Sequence, residues 1–143
     1  MADGSDGEPV DDATLVEAAR EAQEESFAPY SGYAVGAALL TADGSVVTGC
    51  NVENANYSNS LHAEEVALGS AVAAGHREFE AVAVSSGERD GVTPCGMCRQ
   101  TLAEFCGEEF RVVCDLGGDD RREYTLGHLL PDTIDADTLD RDR

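Results

Sequence analysis

Two short segments contain the residue types best suited to metal-assisted chemistry, His62-Ala63-Glu64 and Pro94-Cys95-Gly96-Met97-Cys98. Cys95 and Cys98 are three residues apart, so at the start of a helix both sulfur atoms lie on one face and can bind one ion. A helix N-terminus carries partial positive charge, which favours the thiolate over the thiol. The spacing therefore predicts that this cysteine pair binds a metal ion.

His62 can complete such a site as a third, neutral ligand. One tetrahedral position then stays open for water, as a catalytic zinc site requires. Zinc lowers the pKa of its bound water to roughly 7, which makes hydroxide available at neutral pH. Glu64 stands two residues after His62, close enough to lie beside that water without binding the metal. We therefore expect one zinc ion per chain and a proton-carrying role for Glu64.

The order of these residues adds to the argument. His-x-Glu, followed after about thirty residues by Pro-Cys-x-x-Cys, is the signature of zinc-dependent nucleobase deaminases. A Cys-x-x-Cys pair alone would equally fit a redox pair or half of a structural zinc knuckle. The presence of His62, Glu64 and Pro94 favours the catalytic zinc site.

Composition restricts the size of the fold and the class of partner. The chain has 143 residues, which suffice for one domain with a full core but not for two. It carries 29 Asp and Glu against 9 basic residues, all of them arginine, for a net charge of −20. This charge repels phosphate backbones, so we expect a small substrate that is not strongly anionic, and no nucleic-acid partner. Acidic residues throughout the chain favour a halophilic protein over a mesophilic one with acidic tails.

Cysteine usage and hydropathy indicate the compartment. Five cysteines, an odd number, without a secretory signal at the N-terminus predict a reducing cytoplasm and metal binding rather than disulfides. No apolar run approaches the roughly 18 residues that span a bilayer, so we expect a soluble protein with no membrane partner. Cys50, Cys106 and Cys114 lie in or beside apolar stretches and are expected to be buried small hydrophobes.

The rest of the chain predicts the elements that position the chemistry. Periodicity and turn residues predict helices at 12–26, 62–74, 95–105 and 125–130, and strands at 34–40, 45–50, 79–86, 110–115 and 123–126. Asp43-Gly44 predicts that the first two strands form an antiparallel hairpin. The order predicts an α/β fold, a three-layer α/β/α sandwich around one mixed five-stranded sheet. This domain is expected to span 11–131, between an acidic flexible tail at 1–10 and an acidic C-terminal tail at 132–143.

Further segments resemble the cytidine deaminase family in order and spacing, over about residues 13 to 131. Besides the two metal-binding segments they are Tyr30-Ser31-x-Tyr33, 35–39, Gly49-x-Asn51-Val52-Glu53-Asn54 and Leu129-Leu130-Pro131. The resemblance implies hydrolytic deamination of cytidine and 2′-deoxycytidine to the uridine forms with release of ammonia. It implies that zinc-bound hydroxide attacks C4 of the pyrimidine, while Glu64 moves the water's proton to N3 and later helps to protonate the leaving amine. A homo-oligomer, with a tetramer favoured over a dimer, is also implied.

The same resemblance implies a set of substrate-binding residues. Asn51 and Glu53 would hold the ribose hydroxyls. The backbone of Ala63 would contact the amide edge of the base, and Tyr33 and Tyr57 would line the base or stack on it. For Tyr33, packing beside the hairpin is an equally open alternative.

Three positions differ from the pattern of short family members. These usually carry cysteine where His62 stands and arginine where Glu65 stands. The two changes compensate, because three thiolates leave a negative zinc site that arginine offsets, whereas two thiolates and one imidazole balance Zn²⁺. Glu65 is then expected to point to solvent. Ile134 occupies the position of a phenylalanine that in the family often reaches a neighbouring subunit's active site, so this stacking is expected to be weakened.

Three functions remain open from the sequence. The chain could deaminate free cytidine, or it could act on a nucleotide, a free base or an aminopyrimidine antibiotic, or it could be a zinc-stabilised binding module without catalysis. The Asn51-x-Glu53 pair favours a nucleoside over a nucleotide, because a carboxylate facing the sugar suits hydroxyls and disfavours phosphate. Glu64 argues against the binding module, since a structural site has a fourth protein ligand instead.

Overall fold

The computed structural model describes residues 9–88 and 91–139, and one mixed sheet lies at its centre. Its strands are β1 Gly36–Thr41, β2 Val46–Cys50, β3 Phe79–Ser85, β4 Arg111–Asp115 and β5 Arg121–Thr125. They lie in the order β2-β1-β3-β4-β5, with β3 in the middle. β3 and β4 are parallel and the other neighbouring pairs are antiparallel, which confirms the predicted mixed five-stranded sheet.

The described residues form five α-helices, three of them longer than one turn, and a 3-10 helix at Tyr57–Asn59. The α-helices are α1 Asp12–Gln23, α2 Ala63–Ala73, α3 Gly96–Ala103, α4 Leu126–Leu129 and α5 Ala136–Leu139. α1 begins where the sequence predicts, because Asp11 is its N-cap and accepts a hydrogen bond from the Thr14 N–H at 2.8 Å. It ends at Gln23, three residues earlier than predicted. No helix in the described ranges combines the length and apolar character needed to cross a membrane.

Helices cover both faces of the sheet. α1 packs Leu15 and Ala19 on one face, against alternate residues of β1 and β3 such as Ala38. α2 and α3 pack on the other face, where Leu68 and Leu102 join the second core cluster. Because successive side chains of a strand point to opposite faces of the sheet, the core is divided into two clusters, one on each face. This arrangement confirms the three-layer α/β/α sandwich.

Two glycines in the hairpin allow these helices to lie directly on the strands. A Cβ atom at Gly36 would lie 2.5 Å from the Gln23 nitrogen of α1. A Cβ atom at Gly49, on the opposite face, would lie 2.5 Å from both the Ala63 oxygen and the Ala67 nitrogen of α2. Only glycine fits at such distances, so β2 sets the height of the first turn of α2 above the sheet.

The last strand and the C-terminal segment depart from the predicted boundaries. β5 begins at Arg121 rather than at residue 123, because the positive φ angles of Gly117 (94°) and Gly118 (55°) allow a tight turn after β4. Within the predicted tail at 132–143, α5 forms one helical turn, and the Asp135 carboxylate accepts a hydrogen bond from the Thr138 N–H at 2.9 Å. The domain boundaries themselves stay predictions, and residues 1–8 and 140–143 lie outside the described residues.

The three cysteines outside the metal-binding segments behave largely as predicted. Cys106 and Cys114 are buried, and Cys50 is half-buried in β2. Burial raises the pKa of Cys106 to about 12 and that of Cys114 to about 11. Both therefore stay thiols at neutral pH and act as small core residues.

Candidate active site

The N-termini of α2 and α3 meet at the predicted metal ligands. His62 is the N-cap of α2, Cys95 is the N-cap of α3, and Cys98 lies in the first turn of α3. The Nδ1 atom of His62 is 3.3 Å from the sulfur of Cys95 and 3.3 Å from that of Cys98. All three ligand atoms lie within 4.8 Å of one another. The fold thus brings together, from two helices, the three residues that the sequence proposes.

The donor set fits zinc. One imidazole nitrogen and two sulfur atoms are the ligands that zinc binds in catalytic sites with one open position. Among the described residues, this group of mutually close ligand atoms includes no fourth side chain. The arrangement therefore matches a catalytic zinc site better than a closed structural one.

Glu64 lies beside this cluster, in the first turn of α2. Its side chain is buried, with 6% of the residue exposed, and its Oε1 atom is 3.6 Å from the Cys98 sulfur. Burial raises the pKa of Glu64 above its usual value. A buried carboxyl group that touches the metal cluster without belonging to it has the position that proton transfer requires.

Cys98 shows that the helix N-terminus alone does not produce a thiolate. Burial raises the pKa of Cys98 well above its usual value, and the neighbouring Glu64 carboxylate raises it further. In the metal-free chain, desolvation therefore outweighs the partial positive charge of the helix terminus at Cys98. A cation at the cluster is needed to stabilise the ionised sulfur.

Glu65 points back to the metal ligand rather than out to solvent. Its Oε1 atom accepts a hydrogen bond from the His62 N–H at 2.7 Å, and the residue is half-buried. Its position in the first turn explains the difference, because a glutamate there can return to cap the free N–H at the helix start. Glu65 thereby fixes the backbone that carries His62.

A cavity of about 290 Å³ opens beside the ligand cluster. Its volume lies near the lower end of the roughly 300–1,000 Å³ that hold small molecules. Seven of the nine proposed site residues line it, namely Tyr33, Asn51, Glu53, His62, Ala63, Glu64 and Cys95. The remaining ligand, Cys98, is fully buried and is not among the lining residues.

Tyr33 and Tyr57, the two tyrosines proposed to contact the base, lie in different environments. Tyr33 is half-buried and lines the cavity, which favours the lining role over packing beside the hairpin. Tyr57 is 73% exposed and is not among the lining residues. It packs edge-on against Tyr30, with ring centroids 6.0 Å apart. The structure of the described residues does not bring Tyr57 to the cavity.

Asn51 and Glu53 hold the loop that forms one cavity wall. The Asn51 amide donates to the Tyr33 carbonyl at 2.8 Å and accepts from the Val35 N–H at 2.9 Å. Glu53 accepts from the Ser31 hydroxyl and, at 3.1 Å, from the Ser31 N–H. These bonds, led by the Ser31 hydroxyl, lower the pKa of Glu53. Glu53 thus stays an ionised acceptor at the cavity edge.

Six further lining residues were not proposed from the sequence. They are Ser31, Val35, Ser60, Leu61, Val92 and Thr93. Thr93 directly precedes the Pro-Cys-x-x-Cys segment, which is a signal that could have identified it. The others come from loops and strand ends whose proximity depends on the tertiary fold. Three of them provide apolar wall and three provide hydroxyl groups.

Comparisons with known proteins agree with this geometry. Residues 9–114 match the model of the cytidine and deoxycytidylate deaminase zinc-binding region. The cytidine deaminase of Sporosarcina psychrophila is 40% identical over 130 residues, which are 91% of this chain and 96% of the relative. The fold and the site together define a zinc-dependent deaminase.

Solved structures support a more specific assignment. A cytidine deaminase from Burkholderia pseudomallei is 46% identical, with a TM-score of 0.82 over 87% of this chain and 99% of that one. A cytidine deaminase from Mycobacterium tuberculosis is 41% identical, with a TM-score of 0.77 over 87% and 98%. The chain belongs to the cytidine deaminase family.

Proposed function

We propose that this chain catalyses the hydrolytic deamination of cytidine and 2′-deoxycytidine to uridine and 2′-deoxyuridine, with release of ammonia. The observation that carries the proposal is the cluster of His62, Cys95 and Cys98 with the buried Glu64 carboxyl 3.6 Å from a ligand sulfur, all at a cavity of small-molecule size. The relatives named above are cytidine deaminases, which supports the same reaction for this chain.

The three ligands would hold one zinc ion. When bound, zinc supplies a Lewis acid that lowers the pKa of a coordinated water to roughly 7. The chain's own contribution is to place the buried Glu64 carboxyl group next to the ligand set, 3.6 Å from the Cys98 sulfur. Glu64 takes the proton of the attacking water at a carboxylate oxygen, gives it to N3 of the base, and afterwards helps to protonate the departing amine.

The cavity walls favour a nucleoside over a nucleotide. Glu53 is ionised and accepts hydrogen bonds only, so it suits ribose hydroxyls and repels phosphate. No lysine or arginine is among the cavity-lining residues in the described part of the chain. We assign Asn51 and Glu53 to the ribose, the backbone of Ala63 to the amide edge of the base, and Tyr33 to the base itself.

The competing functions differ in substrate or in catalysis. Comparing cytidine with cytosine, cytidine monophosphate and an aminopyrimidine antibiotic distinguishes the nucleoside enzyme from its relatives. A carboxylate beside the sugar predicts that the monophosphate reacts least. Stoichiometric zinc binding without turnover of any of these substrates would instead support the non-catalytic binding module.

We further infer a homotetramer in a high-salt cytoplasm, acting in pyrimidine salvage. Exposed apolar side chains, including Phe27, Tyr30, Val52 and Leu61, lie on the segments that carry the cavity-lining residues or pair with them, and patches of this kind mark contact surfaces. The net charge of −20 makes the association of copies depend on screening. Sedimentation in low and in concentrated potassium chloride checks this, and the same oligomer in both would contradict the salt dependence.

The first test of the reaction is ultraviolet-monitored deamination in concentrated potassium chloride. We expect zinc-loaded wild type to turn over cytidine, and Glu64→Gln to bind zinc but lose about 10²–10⁴-fold in kcat, because the variant cannot carry the proton. Glu21→Gln, an exposed glutamate on α1, is the matched control and should keep wild-type kcat.

Two results would contradict the proposal in different ways. Folded, zinc-bound wild type that is inert on both nucleosides would overturn the substrate assignment. Wild-type kcat in Glu64→Gln would overturn the role of Glu64 while leaving the substrate in place.

A further inference from the structure

Arg99 directly follows the ligand Cys98 on α3, and its guanidinium reaches three separate acceptors. Its Nε donates to the Pro94 carbonyl at 2.7 Å, one Nη to the Leu129 carbonyl at 2.9 Å, and the other Nη to the Thr93 hydroxyl at 3.3 Å. The side chain is half-buried. A guanidinium can serve three acceptors at once because its donors lie in a rigid planar fork.

The three acceptors lie in segments that form the cavity and the metal site or pack beside them. Thr93 lines the cavity, and Pro94 immediately precedes the ligand Cys95. Leu129 is the last residue of α4, which packs against the core on the α2 and α3 side of the sheet. One side chain therefore joins a cavity wall, the approach to a metal ligand and the C-terminal helix α4.

The segment before the cysteine has few other polar anchors. We call residues 92–95 the ligand loop. Before it, the Gly91 N–H donates to the Asp115 carbonyl at 2.8 Å; at its end, the Cys95 carbonyl accepts the Arg99 N–H at 2.9 Å. Between these points, within the described residues, the hydrogen bonds to residues 92–94 all come from the Arg99 side chain.

We propose that Arg99 is a positioning residue that holds the ligand loop in place. It thereby fixes the position of the metal ligand Cys95 and of the cavity-lining Thr93. This inference rests on the metal site proposed above and deepens it. Outer groups that orient metal ligands contribute to metal affinity although they do not touch the ion. A lysine at the same position keeps the charge but carries all its donors on one nitrogen, which cannot reach the acceptors that three separate guanidinium nitrogens contact.

The test compares Arg99→Lys with Arg20→Lys. Arg20 is also half-buried and also makes a forked contact, to Asp115, but it lies on α1 at the other face of the sheet. Each protein is loaded with zinc and with cobalt, and the measurements are the rate of zinc transfer to a chelator, the cobalt absorption spectrum, kcat and KM for cytidine, and the denaturant midpoint.

We expect Arg99→Lys to release zinc about tenfold faster or more, to change its cobalt spectrum and to raise KM. Arg20→Lys should lower the denaturant midpoint but keep the wild-type release rate and spectrum. Thr93→Val removes one acceptor with little change in volume and should raise KM with a smaller effect on zinc release. It gives an independent reading should Arg99→Lys fold poorly.

The outcomes separate this inference from the proposed function. A wild-type protein that binds no zinc overturns the metal site and this inference with it. Wild-type zinc release and cobalt spectrum in both Arg99→Lys and Thr93→Val overturn the role of Arg99 alone, even if the denaturant midpoint falls as in Arg20→Lys.

Discussion

The sheet carries α1 on one face and α2 with α3 on the other, and on each face one position of the hairpin lies so close to a helix that only glycine fits there. Under α1 that residue is Gly36, and under α2 it is Gly49, each with a helix nitrogen 2.5 Å from where a Cβ atom would be. The packing rule is the same on both faces. What differs is that the metal ligands and the cavity lie only with α2 and α3.

On each face of the sheet an arginine of a helix hydrogen-bonds to other parts of the fold, but the acceptors differ in charge. On the α1 face, Arg20 makes two bonds of 2.7 Å to the Asp115 carboxylate, which Ser85 also contacts at 2.8 Å. On the other face, Arg99 bonds to carbonyl and hydroxyl oxygens. The comparison teaches that α1 stabilises the fold through a charge pair away from the cavity. Arg99 instead holds parts of the cavity itself.

The largest expected effect comes from adding one methyl group beneath each layer. Gly49→Ala and Gly36→Ala should each lose about 1–3 kcal/mol of unfolding free energy, because a helix must move away from the sheet. Only Gly49→Ala should also lose about 100-fold in kcat/KM, since it displaces the turn that carries Glu64, and a shift near 1 Å suffices for such a loss. Denaturant unfolding and steady-state kinetics on both variants measure the two effects. Equal kinetic losses in the two variants would show that the faces are not separable.

The next effect is a pH dependence confined to the α1 face. The Arg20 guanidinium lowers the pKa of Asp115 to about 2 from its ordinary value of 3.8. Because the folded pKa is the lower one, this carboxylate contributes about 2 kcal/mol of stability that is fully present above about pH 4. The contribution is lost as the pH falls towards 2 and below.

Denaturant midpoints of wild type and Asp115→Asn between pH 6 and pH 2 test this titration at fixed salt. The difference between the two proteins should shrink as the pH falls. The pH at which zinc is released should be the same in both, since Asp115 lies on the α1 face. Parallel stability curves would mean that Asp115 does not carry the acid sensitivity.

The smallest expected effect comes from removing the cap of α1 or that of α2. Asp11→Ala removes the N-cap of α1, and Glu65→Ala removes the carboxylate that accepts the His62 N–H. Each should cost about 1 kcal/mol of unfolding free energy. Glu65→Ala should in addition speed zinc transfer to a chelator, because the backbone of a metal ligand loses its support. Identical rates of zinc transfer in the two variants would show that Glu65 acts only as a helix cap.

The sequence predicted those features that depend on local pattern. Asp43-Gly44 marks the hairpin, and the spacing of Cys95 and Cys98 marks the metal-binding turn. Each of these follows from residues within about four positions of one another, where turn, cap and helix geometry determine the structure.

Features that depend on distant segments were missed or misplaced. Tyr57 lies outside the cavity, on the loop that the backbone pairing of Val52 with Leu61 closes. The Arg99 partner Leu129 lies 30 residues further along the chain. Nothing in the local pattern identifies such contacts, because they form only when the sheet brings the two segments together.

The metal ligands of the two helices also lie far apart along the chain. His62 is separated from Cys95 by 33 positions and from Cys98 by 36. The stretch between them contains all of α2 and the central strand β3. An ion held by these residues would therefore join the two ends of a segment that contains α2 and β3, and its binding free energy would add to the stability of the folded chain.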